Sequence, residues 1–325
     1  MARIFLISLI FSLFANGTGT SGTIPTSPVQ KTYLPIMTKQ LDLYYYPLNT
    51  IHPDNWIAAT VPFDANGIPR VDYGGAIGIQ YNPTTIGQYA LSCWNEYRLT
   101  GNGEWLGKFM RQADWLVANR QAGAGGGYKW PYGFALVGYG LAPGWISAIS
   151  QGLVQSVMRR AYAATQETKY FDTAGGAYRT MVASVAAGGT LATTPEGGIW
   201  FEEAPTPSPS LILNGNIFGI IGLHDYAAMS GSAEALALYE SAVSSVTTSL
   251  SVYDSGTWIV YDRVNFTPIT QAYMRIHNNL AEQMTADGAS GFRAIWKRWY
   301  GYYTGIVDTE AAPITGETSG CISRR

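Results

Sequence analysis

Four short polar interruptions recur along the chain: "TGNGEW" near 101, "TQETKY" near 166, "SGSAEA" near 231 and "DGASGF" near 288. They stand roughly 65, 65 and 57 residues apart, which marks a repeat of supersecondary units. Each is flanked on both sides by a helix-like pattern. In "WLGKFMRQADWLVANRQ", Leu106, Phe109, Met110, Ala113 and Leu116/Val117 recur at spacings of three and four, so one face is apolar. A turn this short between two helices makes them antiparallel neighbours. The pattern therefore predicts a mainly α fold: an α/α toroid, or incomplete barrel, of about four helical hairpins. The longer segments between hairpins, about 121–143, 189–210 and 252–270, carry Gly, Pro and aromatic clusters. Short β-hairpins are expected there, with "GTWIVYD" the most strand-like piece. In a toroid these connections share one end and rim a cleft, where function tends to reside. An α-solenoid that binds a protein is the competing architecture, but its repeats would be more alike and its loops shorter.

Composition narrows the function classes. Of 325 residues 47% are hydrophobic and 13% charged, with a formal net charge of -2. That excludes the composition of a disordered chain and gives no basic footprint for nucleic acid. The 22 Tyr and 10 Trp suit sugar binding, since ring faces stack on pyranoses while OH and NH groups reach hydroxyls. The start, "MARIFLISLIFSLFANGTGTSGT", has one Arg, an apolar run over 4–14 and then small residues. It reads as a signal peptide over 1–22, with an uncleaved anchor as the alternative, and implies export through the secretory pathway. A linker over 23–43, one catalytic domain over 44–308 and a flexible tail over 309–325 complete the expected organisation. Cys93 is expected to be a buried apolar residue, and no His/Cys cluster has metal-ligand spacing.

The run "WFEEAPTPSPS" over 200–210 is out of character for so uncharged a chain. The prolines favour extended backbone, in which neighbouring side chains point to opposite sides. One of Glu202 and Glu203 is thus expected to face the cleft and the other solvent or a structural partner. Trp200 and Phe201 beside them predict a partly dry loop, where burial makes a carboxylate a better base.

Four stretches are distinctive: "APGWISAISQGLVQSVMRRAY" (142–162), "FEEAPTPSPSLILNGNIFGIIGLHD" (201–225), "VYDSGTWIVYDR" (252–263) and "YMRIHNNLAEQM" (273–284). In this order, and across about 44–300, the chain resembles the D-glucuronyl C5-epimerase family. The resemblance implies an α/α-barrel catalytic domain without cofactor or metal. It also implies conversion of D-glucuronate to L-iduronate in a heparosan- or heparan-like polymer. Glu203 would be the base on one face of the sugar, Tyr261 a second site residue, and Tyr273 the acid/base on the opposite face. The family's tyrosine after the glutamate is Ala204 here. Arg263, two residues rather than three after Tyr261, would meet the substrate carboxylate and serve as the cation beside Tyr261. His277, Asn214, Gln151, Trp145 and Tyr132 complete the expected substrate-binding set, with His277 orienting Tyr273 or binding sugar. For Asn214 and Gln151, helix capping or inter-helix bonding is the alternative. The partner is a uronic-acid polysaccharide, with a homodimer as an option and no nucleic acid; a membrane enters only through an uncleaved N-terminal signal.

The chemistry demands a base and an acid on opposite faces of C5, with stabilisation of the enediolate. A polysaccharide lyase shares the first step and ends in β-elimination. A two-carboxylate hydrolase would need Asp254 or Asp262 as its second acid. A non-catalytic glycan-binding relative is the remaining alternative.

Overall fold

A computed structural model describes residues 43–45, 47, 52–55, 62–289 and 291–305. The expected signal peptide, nearly all of the linker and the tail lie outside these residues. Among the described residues there are eight α-helices, in four pairs: α1 (Pro83–Thr100) with α2 (Gly103–Ala118), α3 (Ala148–Thr165) with α4 (Thr168–Val182), α5 (Leu213–Ser230) with α6 (Ala233–Tyr253), and α7 (Gln271–Ala286) with α8 (Gly291–Thr304). Within each pair the two helices pack as a hairpin. The first helices also pack in a row, α1 on α3, α3 on α5 and α5 on α7. This is the incomplete α/α toroid that the hairpin spacing predicts.

Burial separates the two layers. The inner α5 is buried on every side from Leu213 to Leu223, whereas the outer α2 buries only Phe109, Gln112, Ala113 and Leu116. A helix enclosed by others can be apolar all round, and one at the surface needs a single stripe. The inner helices α3 and α5 approach backbone to backbone. A Cβ on Gly152 would lie 2.4 Å from the Phe218 carbonyl oxygen, and one on Gly222 would lie 2.3 Å from the Gly152 Cα. The ends of the helices are written locally. Asn82 caps α1 ahead of Pro83, and Ser147 and Thr270 cap α3 and α7.

Chain that precedes α1 packs against three of the inner helices. Asn95 of α1 pairs with the Tyr45 backbone through both N–H and C=O, Asn279 of α7 donates to the Pro47 carbonyl, and Arg160 of α3 donates to the Leu43 carbonyl. Residues 43–45 and Pro47 therefore contact α1, α3 and α7.

Three antiparallel two-stranded ribbons lie at the loops: β1 (Arg70–Asp72) with β2 (Ile79–Tyr81), β3 (Gln121–Ala122) with β4 (Tyr128–Lys129), and β5 (Leu191–Thr193) with β6 (Ile199–Phe201). The hairpin expected around "GTWIVYD" is reduced to the single bridges Asp254↔Ile259 and Val260↔Pro268. The backbone there has another partner: the Tyr261 carbonyl accepts from the Leu213 N–H at the start of α5. That contact brings the approaches to α5 and α7 together at one end of the toroid. Cys93 is buried and free, as its pattern suggests. No helix among the described residues is long and apolar enough to cross a membrane.

Candidate active site

Strand β6 delivers the glutamate pair. The Phe201 N–H donates to Asn216 Oδ1 on α5, the Glu202 N–H to the Thr190 carbonyl, and the Ala148 N–H of α3 to the Glu202 carbonyl. The two side chains then part, as extended backbone requires. Glu202 turns into its own loop. Its carboxylate accepts from the Ser210 N–H at 3.0 Å, the Ser210 hydroxyl and the Leu211 N–H at 3.1 Å. It is wholly buried and acts as the loop's internal clasp. Leu211 is held in the left-handed region at φ 52°, its carbonyl accepting from the Tyr253 hydroxyl. Glu203 takes the opposite direction and lies over Gly215 in the first turn of α5. A Cβ at Gly215 would stand 2.3 Å from the Glu203 Cβ and 2.6 Å from Oε2, so only glycine allows this approach.

Glu203 is 1% exposed. The Tyr261 hydroxyl donates to Oε1 at 2.9 Å, and Oε2 has no hydrogen-bond partner among the described residues. Burial pushes this carboxyl from 4.5 up to about 8, against the Tyr261 hydrogen bond and with help from the charges of Glu202 and Asp262. No described Lys or Arg contributes to it. The Tyr273 ring meets the Tyr261 ring edge-on, with centroids 5.6 Å apart. Burial and the Glu203 charge hold both phenols well above their usual range, so both remain protonated. Glu203, Tyr261 and Tyr273 thus form one dry cluster where α5 and α7 begin: a carboxylate with one free oxygen, and two phenols able to donate protons.

The remaining expected residues divide. Asn214 is in the first turn of α5, 1% exposed, with Oδ1 unpartnered among the described residues. It does not cap the helix, whose cap Ile212 has no side-chain bond. Tyr132 lies near enough to feel the Glu203 charge, but its ring is stacked on Trp145 at 3.9 Å and its hydroxyl is bonded to Thr84. The Trp145 indole donates to the Phe134 carbonyl. These two rings cover each other and are buried, instead of offering an open stacking face. His277 is fully buried, its Nδ1–H donating to the Tyr273 backbone carbonyl and its ring edge-on to Trp299 of α8. Burial lowers its pKa to about 4, so it is neutral and faces the outer helix. Its hydrogen bond is to the Tyr273 main chain.

One expectation is corrected, and for Gln151 the inter-helix alternative holds. Arg263 is not beside Tyr261: its guanidinium makes a two-pronged pair with Glu196, at 2.8 and 2.7 Å, on the β5–β6 turn. Its direction follows from a long-range partner that the local spacing did not reveal. Gln151 does not point into the cleft; its amide donates to the carbonyls of Tyr128 and Ala177, tying α3 to its outer neighbour. Of the acids suggested for a hydrolase, Asp254 is bound to Arg298, Trp299 and Tyr302, all on α8. Asp262 accepts from the Val264 and Asn265 N–H groups and from the Tyr139 hydroxyl.

Tyr139, Asn216, Ser210 and Gly215 were not singled out by their pattern. Only "LNGN", with a glycine facing the glutamate loop, carried a signal in the sequence.

The sequence profile described as D-glucuronyl C5-epimerase C-terminus matches residues 124–301, more than half of the chain. The chain belongs to this family. The match takes in Glu203, Tyr261 and Tyr273 and runs from just before strand β4 into α8. Among curated relatives, the D-glucuronyl C5-epimerase of Caenorhabditis elegans is 32% identical over 166 residues, covering 47% of this chain but 27% of the worm protein. An uncharacterised protein of Methanocaldococcus jannaschii is 29% identical over 205 residues, covering 58% of this chain and 67% of its own. Cellobiose 2-epimerase from Spirochaeta thermophila is a structural neighbour at 13% identity, covering 86% of this chain and 76% of that one, with a TM-score of 0.49. At that distance it adds no argument. The family and the worm relative support carbohydrate epimerase as the class.

Proposed function

We propose that the chain is a polysaccharide hexuronate C5-epimerase, converting D-glucuronate to L-iduronate residues in a heparosan- or heparan-like glycan. The observation that carries this reading is Glu203: a buried carboxylate with no described cation beside it, one oxygen held by Tyr261 and the other unpartnered. Such a group is poised near neutral pH to take a proton, and the C5 proton of a uronate is acidic because it lies α to a carboxylate. Glu203 removes that proton and the charge passes onto the substrate carboxyl as an enediolate. Hydrogen bonds from phenols in a dry site stabilise it, and Tyr273 delivers a proton to the other face of C5. The cycle resets when the proton on Glu203 returns to the Tyr273 phenolate through Tyr261 or solvent. With Arg263 paired to Glu196, the described site meets the substrate charge with neutral donors. Export through the secretory pathway, read from the apolar run at 4–14, fits a glycan substrate.

Incubation with heparosan in D2O tests the reading. An epimerase puts deuterium at C5 and forms iduronate in chains of unchanged length. Unsaturated chain ends with shortening would make the protein a lyase. Absence of exchange on any uronan would contradict both.

A further inference from the structure

One tyrosine at the cleft belongs to neither the glutamate loop nor α7. Tyr139 sits in a tight turn between α2 and α3. There the Leu136 and Leu141 N–H groups donate to each other's carbonyls, Gly140 takes φ 68°, and Val137 is 84% exposed. The turn carries little apolar anchorage of its own at its tip. The Tyr139 hydroxyl crosses to Asp262 Oδ2 at 3.1 Å. Asp262 is 2% exposed, follows Tyr261 directly, and shapes the second turn by accepting from the Val264 N–H at 2.9 Å and the Asn265 N–H at 2.6 Å. The tip of that second turn is also apolar and open, with Val264 59% and Phe266 51% exposed, Phe266 in the left-handed region at φ 49°. The Tyr261 N–H donates to the Thr267 carbonyl, so the residue that holds Glu203 is itself part of the second turn. The Tyr139 phenol feels the charges of Asp262, Glu203 and Glu202, and Tyr261 in turn feels Tyr139. Both turns therefore lie beside the Glu203–Tyr261 pair, and a side-chain hydrogen bond joins them.

We propose that Tyr139 is a positioning residue for this site: its hydrogen bond to Asp262 clamps the Leu136–Leu141 turn to the Asp262–Thr267 turn and shuts water away from Glu203. The clamp deepens the epimerase reading, because a dry Glu203 matters only if it moves a proton. A glycan several sugars long cannot pass a shut wall, so the bond must break and re-form with each binding event. A phenol on a carboxylate suits this, since both groups are readily solvated when they part. The groups that face Glu203 are Tyr261, Tyr273, Glu202, Asp262, Tyr132 and Tyr139, and none of them is a cation. Solvent exclusion is thus the main control on its protonation.

Tyr139→Phe in the full chain removes only the hydroxyl. Two measurements without substrate decide the matter. Amide hydrogen exchange at Leu136, Tyr139 and Leu141 should quicken about tenfold or more, with α5 unchanged. The Glu203 carboxyl, followed by NMR in protein labelled with 13C at the glutamate side-chain carboxyl and assigned by its loss in Glu203→Gln, should titrate lower by about one pH unit as water enters. Unchanged exchange would overturn the clamp. Faster exchange with an unmoved Glu203 titration would also overturn it, since the bond would then only tether a loop. Neither readout needs turnover, so a wild-type protein inactive on every uronan would sink the epimerase reading and leave this test standing.

Discussion

A buried carboxylate stands near each end of helix α5, Glu203 packed against its start and Asp225 within it, and the two are treated in opposite ways. At its start Glu203 packs on Gly215; about 15 Å along the helix, Asp225 lies near its other end. Both are almost fully buried, at 1% and 3% exposure. Burial works against the charge in each case. Asp225 is met by Arg160 at 2.7 Å and Arg159 at 2.5 Å, and these more than offset desolvation and hold its carboxyl down at about 2. Arg160 goes on to bind the Leu43 and Tyr44 carbonyls, so this charge network also holds that segment against α3. Glu203 has a phenol for company and rises to about 8. Burial alone therefore assigns no role. A buried carboxylate given two guanidiniums is locked as an anion and holds structure, and one denied them exchanges a proton near neutral pH.

The contrast can be broken at either end. The largest effect is expected from Glu203→Gln, which should cost a thousandfold or more in epimerisation rate. The same change should stabilise the fold. A carboxyl raised from 4.5 to about 8 destabilises the native state increasingly as pH climbs between those values, and fully above the upper one. The neutral isostere removes that cost, so its melting temperature should exceed wild type at pH 9, with the gap closing toward pH 5. Asp225→Ala should do the reverse, losing about 3–5 kcal/mol in urea unfolding because it strands buried guanidinium charge. An Asp225→Ala protein as stable as wild type would end the claim that this end is structural.

Tyr261→Phe should lower the rate by about a hundredfold. Its hydrogen bond holds the Glu203 pKa down, so the rising limb of the pH–rate profile should move to higher pH. The smallest effect belongs to Arg263→Ala. Its pair with Glu196 lies at a partly exposed rim, so kcat/KM should change by less than about threefold and stability by less than about 1 kcal/mol. A hundredfold loss would mean that Arg263 leaves Glu196 for the substrate.

The hairpin architecture was legible because it rests on local signals. Polar turns, capping residues such as Asn82 and Ser232, and the Phe109–Leu116 stripe all act within a few residues. The split between Glu202 and Glu203 was legible for the same reason, since extended backbone fixes it. The β1–β2 ribbon before α1 and the packing of residues 43–45 and Pro47 were missed; the latter depends on Asn95, Arg160 and Asn279, far away in the chain. Glu203, Tyr261 and Tyr273 came from family resemblance, and their meeting at one point could not be read from spacing. Arg263 was misplaced because Glu196, 67 residues earlier, decides its direction. Gln151 kept two readings because an inner helix buried on every side gives no clue to which face meets the cleft.

The most direct test of Glu203 as the proton-moving base is deuterium incorporation at C5 of heparosan in D2O, measured across pH. Wild-type incorporation should rise with an apparent midpoint near 8, as burial of the carboxyl dictates, and vanish in Glu203→Gln. Incorporation that persists in Glu203→Gln, or a wild-type midpoint at the ordinary carboxylate value near 4.5, would contradict the account.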